Sequence, residues 1–223
     1  MTQSISYADA GVSIDNANLA VAKIREYARS TFNERTLTEI GSFGGMFAGA
    51  FPSMSEPILV ASADGVGTKL AVAQAMDKHD TVGLDLVAMV VDDLVVCGAE
   101  PLFLQDYIAV GRVVPERVQA IVAGIAEGCV LAGCALLGGE TAEHPGLMEP
   151  DHYDLSATGV GVVEADDVLG PERVRPGDVV IAMGSSGLHS NGYSLARKVL
   201  LEIDRMSLAG HVEEFGRTLG EEL

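Results

Sequence analysis

Ile58-Leu59-Val60-Ala61-Ser62-Ala63-Asp64-Gly65-Val66-Gly67-Thr68-Lys69 is the stretch from which the rest of the chain is read. Its apolar run predicts a buried strand, the segment around Gly65 and Gly67 a turn, and Thr68-Lys69 the start of a helix. Two glycines in such a turn let backbone N–H groups approach a phosphate closely, and the helix that follows points the positive end of its dipole at the same spot. Asp64 stands at the strand tip, where a carboxylate can hold Mg²⁺, and Lys69 can neutralise a phosphate. The GxxxxGK[ST] spacing of a Walker A loop is absent. The same residues equally fit a plain strand-to-helix turn, in which glycine supplies the dihedrals, Asp64 caps the helix and Lys69 is a solvated charge.

Downstream, the segment from about Val82 to Val96 predicts a helix that is apolar nearly all round, and therefore one buried on most sides. It nevertheless carries Asp85, Asp92 and Asp93, the first two on one face and Asp93 about 100° further round. Buried carboxylates cost several kcal/mol unless they are paired, hydrogen-bonded or bound to a metal. These residues therefore point to a cation site, with Asp93 the preferred ligand, or else to loop caps and water-facing helix ends. Leu102 to Val110 alternates as a strand that puts Asp106 on the core-facing row of Leu104 and Ile108, which makes it a second suspect. Pro115 opens an amphipathic helix that reads as scaffold. Ala135-Leu136-Leu137 predicts a short strand running into a glycine turn, Gly138-Gly139-Glu140-Thr141, with a carboxylate at the strand's end.

Upstream, Asn16 to Thr31 has helical spacing, and Gly41-Ser42-Phe43-Gly44-Gly45-Met46-Phe47 suits a turn or a loop lying over a ligand. His144 and His152 fit no common metal spacing and read as loop residues. Turn formers and charges cluster from Glu164 to Asp178 and mark a domain boundary. Beyond it, Val179 to Met183 predicts a strand, Gly184 to Gly192 a polar glycine loop and Tyr193 to Ile203 a helix, repeating the logic of the 58–69 unit. Two such units suggest either two related halves or two walls of one nucleotide site. The acidic end, with Glu213, Glu214, Glu221 and Glu222, predicts exposed helix or a fraying tail.

A chain of 223 residues with 48% hydrophobic content supplies a core. The net charge of −18 argues against general affinity for nucleic acid or anionic membranes, so an anionic ligand must be met by a local site. Lys23, Arg25, Arg29 and Arg35 form either a phosphate-facing arm or a solvated helix face. Cys97, Cys129 and Cys134 are odd in number and lack CxxC spacing, which suits free thiols in a reducing cytosol. With neither a signal-peptide pattern nor a long uncharged apolar segment, the expectation is a soluble, cytoplasmic protein.

Taken together, Ser6-Tyr7-Ala8-Asp9-Ala10-Gly11-Val12, Asp64-Gly65-Val66-Gly67-Thr68-Lys69, Asp93-Leu94, Gly98-Ala99-Glu100-Pro101, Asp106-Tyr107, Gly138-Gly139-Glu140-Thr141-Ala142-Glu143 and Gly184-Ser185-Ser186-Gly187-Leu188-His189-Ser190-Asn191-Gly192-Tyr193-Ser194 resemble the ordered motif set of the phosphoribosylformylglycinamidine cyclo-ligases, the aminoimidazole ribonucleotide synthetases of purine biosynthesis. Single motifs are shared with the wider superfamily of ATP-using enzymes that includes selenophosphate synthetase and thiamine monophosphate kinase. No cysteine precedes Cys97, whereas selenophosphate synthetases often carry a reactive one near the N-terminus. The family usually has Asn-Asp-Leu where this chain has Asp92-Asp93-Leu94, and Gly-Gly-Phe-Gly where it has Gly41-Ser42-Phe43-Gly44.

The resemblance implies an α/β fold of the α+β type, a mainly antiparallel sheet with flanking helices followed by the start of a second α/β domain. Residues 1–165 would form an N-terminal ATP-binding and dimerisation domain, and residues 166–223 the beginning of a truncated C-terminal domain. It further implies ATP and Mg²⁺ as cofactors, a homodimer, and formylglycinamidine ribonucleotide as the substrate whose ring is closed. Carried over residue by residue, Asp64, Asp93 and Glu140 would be metal ligands. Asp64, Gly65, Gly67, Thr68, Lys69, Gly138, Gly139, Glu140, Ser190 and Asn191 would line the nucleotide site, and His189, Asp106 and Lys69 would be the catalytic candidates. The rival expectations are another ATP-using reaction of the superfamily and a nucleotide-binding or dimerisation module without turnover.

Overall fold

The computed structural model describes residues 7–189 and 191–223. In chain order, helix α1 (Ile14–Ser30) is capped by Ser13, whose side chain accepts from the Asn16 N–H. Strand β1 (Pro57–Gly65) leads through a single 3₁₀ turn into α2 (Leu70–Met76), and α3 (Val82–Val95) follows. Then come β2 (Glu100–Val110), α4 (Pro115–Ala132), β3 (Ala135–Glu143) and β4 (Tyr153–Glu164). The four strands form one sheet in the order β1-β4-β2-β3. β4 pairs antiparallel with both β1 and β2, while β2 and β3, joined across α4, run parallel. The expected mainly antiparallel sheet with flanking helices is present. No helix among the described residues is long and apolar enough to cross a membrane.

Helices α3 and α4 cover one face of the sheet. They approach so closely that a Cβ on Gly83 would overlap the Ile125 backbone nitrogen and one on Gly128 would meet the Val87 side chain. Glycine at these crossings lets Leu86, Val90, Ile121 and Ile125 interlock with Leu104, Ile108 and Leu155 from the sheet. α1 rests on α4 and on the β3 side. The Thr31 hydroxyl accepts from the Leu136 N–H at 2.7 Å, and the Lys23 ammonium donates to Gln119 at 3.1 Å. The opposite face of the sheet, with Leu59, Ala61, Gln105, Tyr107, Ser156 and Thr158, carries no helix among the described residues and stays exposed.

Several expectations change. β1 is an edge strand rather than a buried one, with Leu59 62% exposed, because pairing on one side and helices on one face leave its other edge and face open. α3 buries Val82, Leu86, Val90 and Leu94 but exposes Asp92 and Asp93, since only one side of it meets the core. Gly138 and Gly139 do not form a turn, because β3 continues through them to Glu143 after a register shift opposite Leu104 and Gln105. Gly139 is required inside the strand, since a Cβ there would overlap Asp106 Oδ1.

Val179 to Met183 form no strand and are exposed, for among the described residues no neighbour offers its backbone groups a partner. The helix predicted from Tyr193 is α5 (Tyr193–Arg197), continuing as a π-helix over Lys198–Ile203. The acidic end is not a fraying tail. It folds as a hairpin of β5 (His211–Val212) and β6 (Arg217–Thr218) followed by α6 (Leu219–Glu222), whose capping box pairs Thr218 with Glu221.

Candidate functional site

Strand register sets the site. Asp64 on β1 pairs with Ala157 on β4, Ala157 with Asp106 on β2, and Asp106 with Gly139 on β3, so one row crosses the whole sheet. Directly paired residues share a face, and this row lies on the helix-covered side with Ser62, Leu104 and Ile108. The next row, Gly65, Ser156, Tyr107 and Glu140, points the other way. A carboxylate is thus carried at two positions of an otherwise small or apolar row.

Asp106 faces a cavity of about 320 Å³, roofed by α1 and the 39–45 loop and floored by β2 and β3, with Ile24, Phe43, Gly45, Gly138 and Glu140 on its walls. That volume is in the range of small-molecule sites. Burial raises the Asp106 carboxyl from 3.8 to about 7, opposed only by a bond from its own backbone N–H. Among the described side chains, none donates a hydrogen bond to it, whereas Glu143, at the far end of β3, accepts from the Val113 and Ser13 N–H groups at 2.6 and 2.9 Å. The glycine-rich 41–45 segment turns, as expected, and lies over this cavity.

At the sheet's other end, Asp64 Oδ1 accepts from the Gly65 N–H at 2.7 Å, the local capping geometry. Asp93 on α3 accepts from the Ser62 hydroxyl at 2.6 Å, two residues before Asp64 on the same face of β1. Two carboxylates and a hydroxyl near one strand end form an all-oxygen donor set, the chemistry that Mg²⁺ selects. Glu140 lies three strands from β1, ~14 Å at strand spacing, and on the opposite face. Among the described residues no three His, Cys, Asp or Glu side chains are close enough to hold a metal together. The structure thus brings Asp64 and Asp93 to one region and Glu140 to another.

Lys69 does not stand free at the glycine turn. Its ammonium donates to Asp85 Oδ1 at 2.8 Å and lies 5.0 Å from the centre of the Tyr193 ring. The neighbouring Thr68 hydroxyl accepts from Ser194 at 3.1 Å. The turn at 64–69 therefore meets the first residues of α5, directly after the 184–192 loop. In that loop Ser186 Oγ and His189 Nε2 are 2.8 Å apart and exposed, and Asn191 is exposed. Ser190 lies outside the described residues.

Of the basic cluster, Lys23 pairs with Glu116 and Arg29 with Glu39, and Arg35 donates to the Ala48 and Ala50 carbonyls while stacking on Phe47 and Phe51. These three serve the fold. Sequence reasoning missed the Lys69 partner Asp85, the cap Tyr193 and the Asp93 partner Ser62, all contacts between segments far apart in the chain. Only the odd placement of Asp85 on an apolar helix signalled any of them.

This four-stranded sheet backed by two helices, with glycine turns and carboxylates at its strand ends, belongs to a known class. Residues 48–163, more than half of the chain, match the family model described as AIR synthase related protein, N-terminal domain, and residues 175–220 match its C-terminal domain. The chain belongs to the AIR synthase related protein family. Among its relatives, a Brevibacillus brevis protein named phosphoribosylformylglycinamidine cyclo-ligase is 52% identical over 220 residues, covering 99% of this chain and 64% of the relative. A Pseudothermotoga lettingae protein of the same name is 53% identical over 218 residues, covering 98% of this chain and 64% of the relative. The chain thus spans 64% of the length of these curated relatives.

Solved structures share the fold at low identity. Hydrogenase maturation protein HypE in complex with ATP superposes with a TM-score of 0.55 at 20% identity, over 83% of this chain and 50% of that one. Thiamine-monophosphate kinase from Stenotrophomonas maltophilia gives 0.53 at 19%, over 87% and 55%.

Proposed function

We propose that this chain carries the nucleotide-binding part of an ATP-dependent cyclo-ligase that closes formylglycinamidine ribonucleotide to aminoimidazole ribonucleotide, releasing ADP and phosphate. The observation that carries the reading is the row Asp64–Ala157–Asp106–Gly139, which puts a carboxyl titrating at about 7 into a small-molecule cavity beneath the glycine-rich 41–45 segment. The names of relatives at about half identity support the reaction class.

In this reading Gly65, Gly67 and Thr68 present backbone N–H groups to the phosphates, and Gly138, Gly139, Glu140 and Asn191 line the remaining nucleotide walls. Asp64 and Asp93 would hold Mg²⁺, which spreads phosphoryl charge when bound; Glu140 serves the second wall rather than the same ion. The formyl oxygen takes the γ-phosphoryl group as ADP leaves, the amidine nitrogen attacks the formyl carbon, and the carbon–oxygen bond then breaks to release phosphate. Asp106 takes the proton that the amidine nitrogen must lose, since a base working near neutral pH needs a pKa near 7. His189 and Ser186, on the opposing loop, hold the departing phosphoryl oxygens.

The exposed sheet face and the open edge of β1 support pairing of two copies, and free thiols at Cys129 and Cys134 support a reducing, cytoplasmic setting. Calorimetric titration with Mg·ATP, sedimentation, and a coupled ADP assay with and without formylglycinamidine ribonucleotide test the reading together. Binding of Mg·ATP by a dimer is the expected result, and any ADP release should depend on the presence of the substrate. ADP release indifferent to that substrate would move the chain to another ATP-using reaction of the superfamily, and absence of nucleotide binding would refute the site.

A further inference from the structure

Three segments converge on the Lys69 ammonium. Lys69 ends the glycine turn that leads into α2, Asp85 lies in the first turn of α3, and Tyr193 opens α5 after the second glycine loop. The ion pair is 2.8 Å long with its side chains only 13% and 25% exposed, so neither water nor salt dissolves it as they would a surface pair. The ammonium lies 5.0 Å from the centre of the Tyr193 ring, within the range where a ring face attracts a cation. Tyr193 is itself almost fully buried, and its hydroxyl reaches the Leu188 carbonyl at 3.0 Å and the Leu223 carbonyl at 2.6 Å. Ser194, the next residue, donates to Thr68.

A lysine whose charge is already matched by a carboxylate and a ring is poorly placed to act as a free phosphate clamp. What its position does explain is how the 64–69 turn and the start of α5, more than a hundred residues apart, are held together. We propose that Asp85 is a positioning residue: it fixes the Lys69 ammonium against the Tyr193 ring and so docks the 184–194 segment onto the 64–69 turn. The two walls of the nucleotide site are assembled by this staple before any ligand arrives. The consequence for nucleotide affinity rests on the proposed ATP site, whereas the docking itself does not.

Hydrogen exchange on the nucleotide-free full chain tests it, alongside Mg·ATP titration. Asp85→Asn should speed exchange of the 188–196 amides by ~10-fold or more while leaving β2 and β4 protected, and should weaken Mg·ATP binding by a comparable factor. Asp85→Glu, which keeps the charge, should recover most of the protection. Lys69→Met should match Asp85→Asn, and the double variant should be no worse than either single one, because both break the same ion pair. Should Asp85→Asn fail to fold, Lys69→Met combined with Asp85→Leu removes both charges without stranding either, and should show the same loss at 188–196. Unchanged exchange in that segment, or an additive double variant, overturns the proposal. Altered exchange in a chain that does not bind Mg·ATP sustains the staple and refutes only the nucleotide reading; normal binding with unaltered exchange does the reverse.

Discussion

Replacing Asp106 by Asn should make the protein more stable at pH 8 than the parent, by an amount that shrinks as the pH is lowered. The unfolded carboxyl titrates at 3.8 and the folded one at about 7, so between those values the folded chain holds more protons than the unfolded chain. Stability contributed by the protonated acid is complete below 3.8 and is lost as the pH rises through the window to 7. At ~1.4 kcal/mol per unit the full loss would be ~4 kcal/mol. Asp106 is half-buried as a residue and borders an open cavity, so water relieves part of this, and ~2–3 kcal/mol is the expected gain for Asn above pH 7. In a chain of this size that is ~5–10 °C in Tm. Paired thermal melts of parent and variant from pH 5 to 8.5 measure it, because the other titrating groups are common to both and cancel. The Asn variant should at the same time lose the proposed proton transfer. Melting curves that stay parallel across the whole range would show that the Asp106 carboxyl is ordinary, and would remove the reason for assigning it as the base.

Other substitutions test separate parts of the structure. Glu143→Ala should cost ~2–4 kcal/mol in urea unfolding, because its two oxygens accept from the Ser13 and Val113 N–H groups and tie the start of α1 to the loop before α4. Gln, which keeps one acceptor, should cost about half as much. Gly83→Ala should destabilise by ~3 kcal/mol or more or prevent folding, since its Cβ would overlap the α4 backbone at Ile125, which cannot give way as a side chain can; a melt unchanged from the parent would contradict the close α3–α4 crossing. Asp93→Asn should weaken Mg²⁺-dependent ATP binding far more than it lowers Tm, because Asp93 is exposed and its side chain's hydrogen bond among the described residues is to the Ser62 hydroxyl. A Tm drop of several degrees with Mg·ATP affinity unchanged would make Asp93 structural.

The sequence by itself determined the local elements and the chemical vocabulary. Helical spacing placed α1 and α4, a nearly unbroken apolar run placed α3, alternation placed β2, and the ordered glycine–carboxylate motifs carried the family, since each is written in residues adjacent along the chain. Tertiary structure decided which of those residues meet. Asp64 and Asp106 share a row only because β4 pairs with both of their strands, and Gly139 lies within β3 rather than in a turn because Asp106 crowds it from the next strand. Asp92 and Asp93 face water although their helix is apolar, because a helix laid on one side of a sheet buries one stripe, whatever the composition of the other. Lys69 reads along the chain as a phosphate clamp and is found paired with Asp85 under Tyr193, since a charge takes the partner that folding brings nearest and dehydrates with it. Periodicity encodes which way a side chain points along its own element; the identity of its neighbour from another element is set only by register and packing.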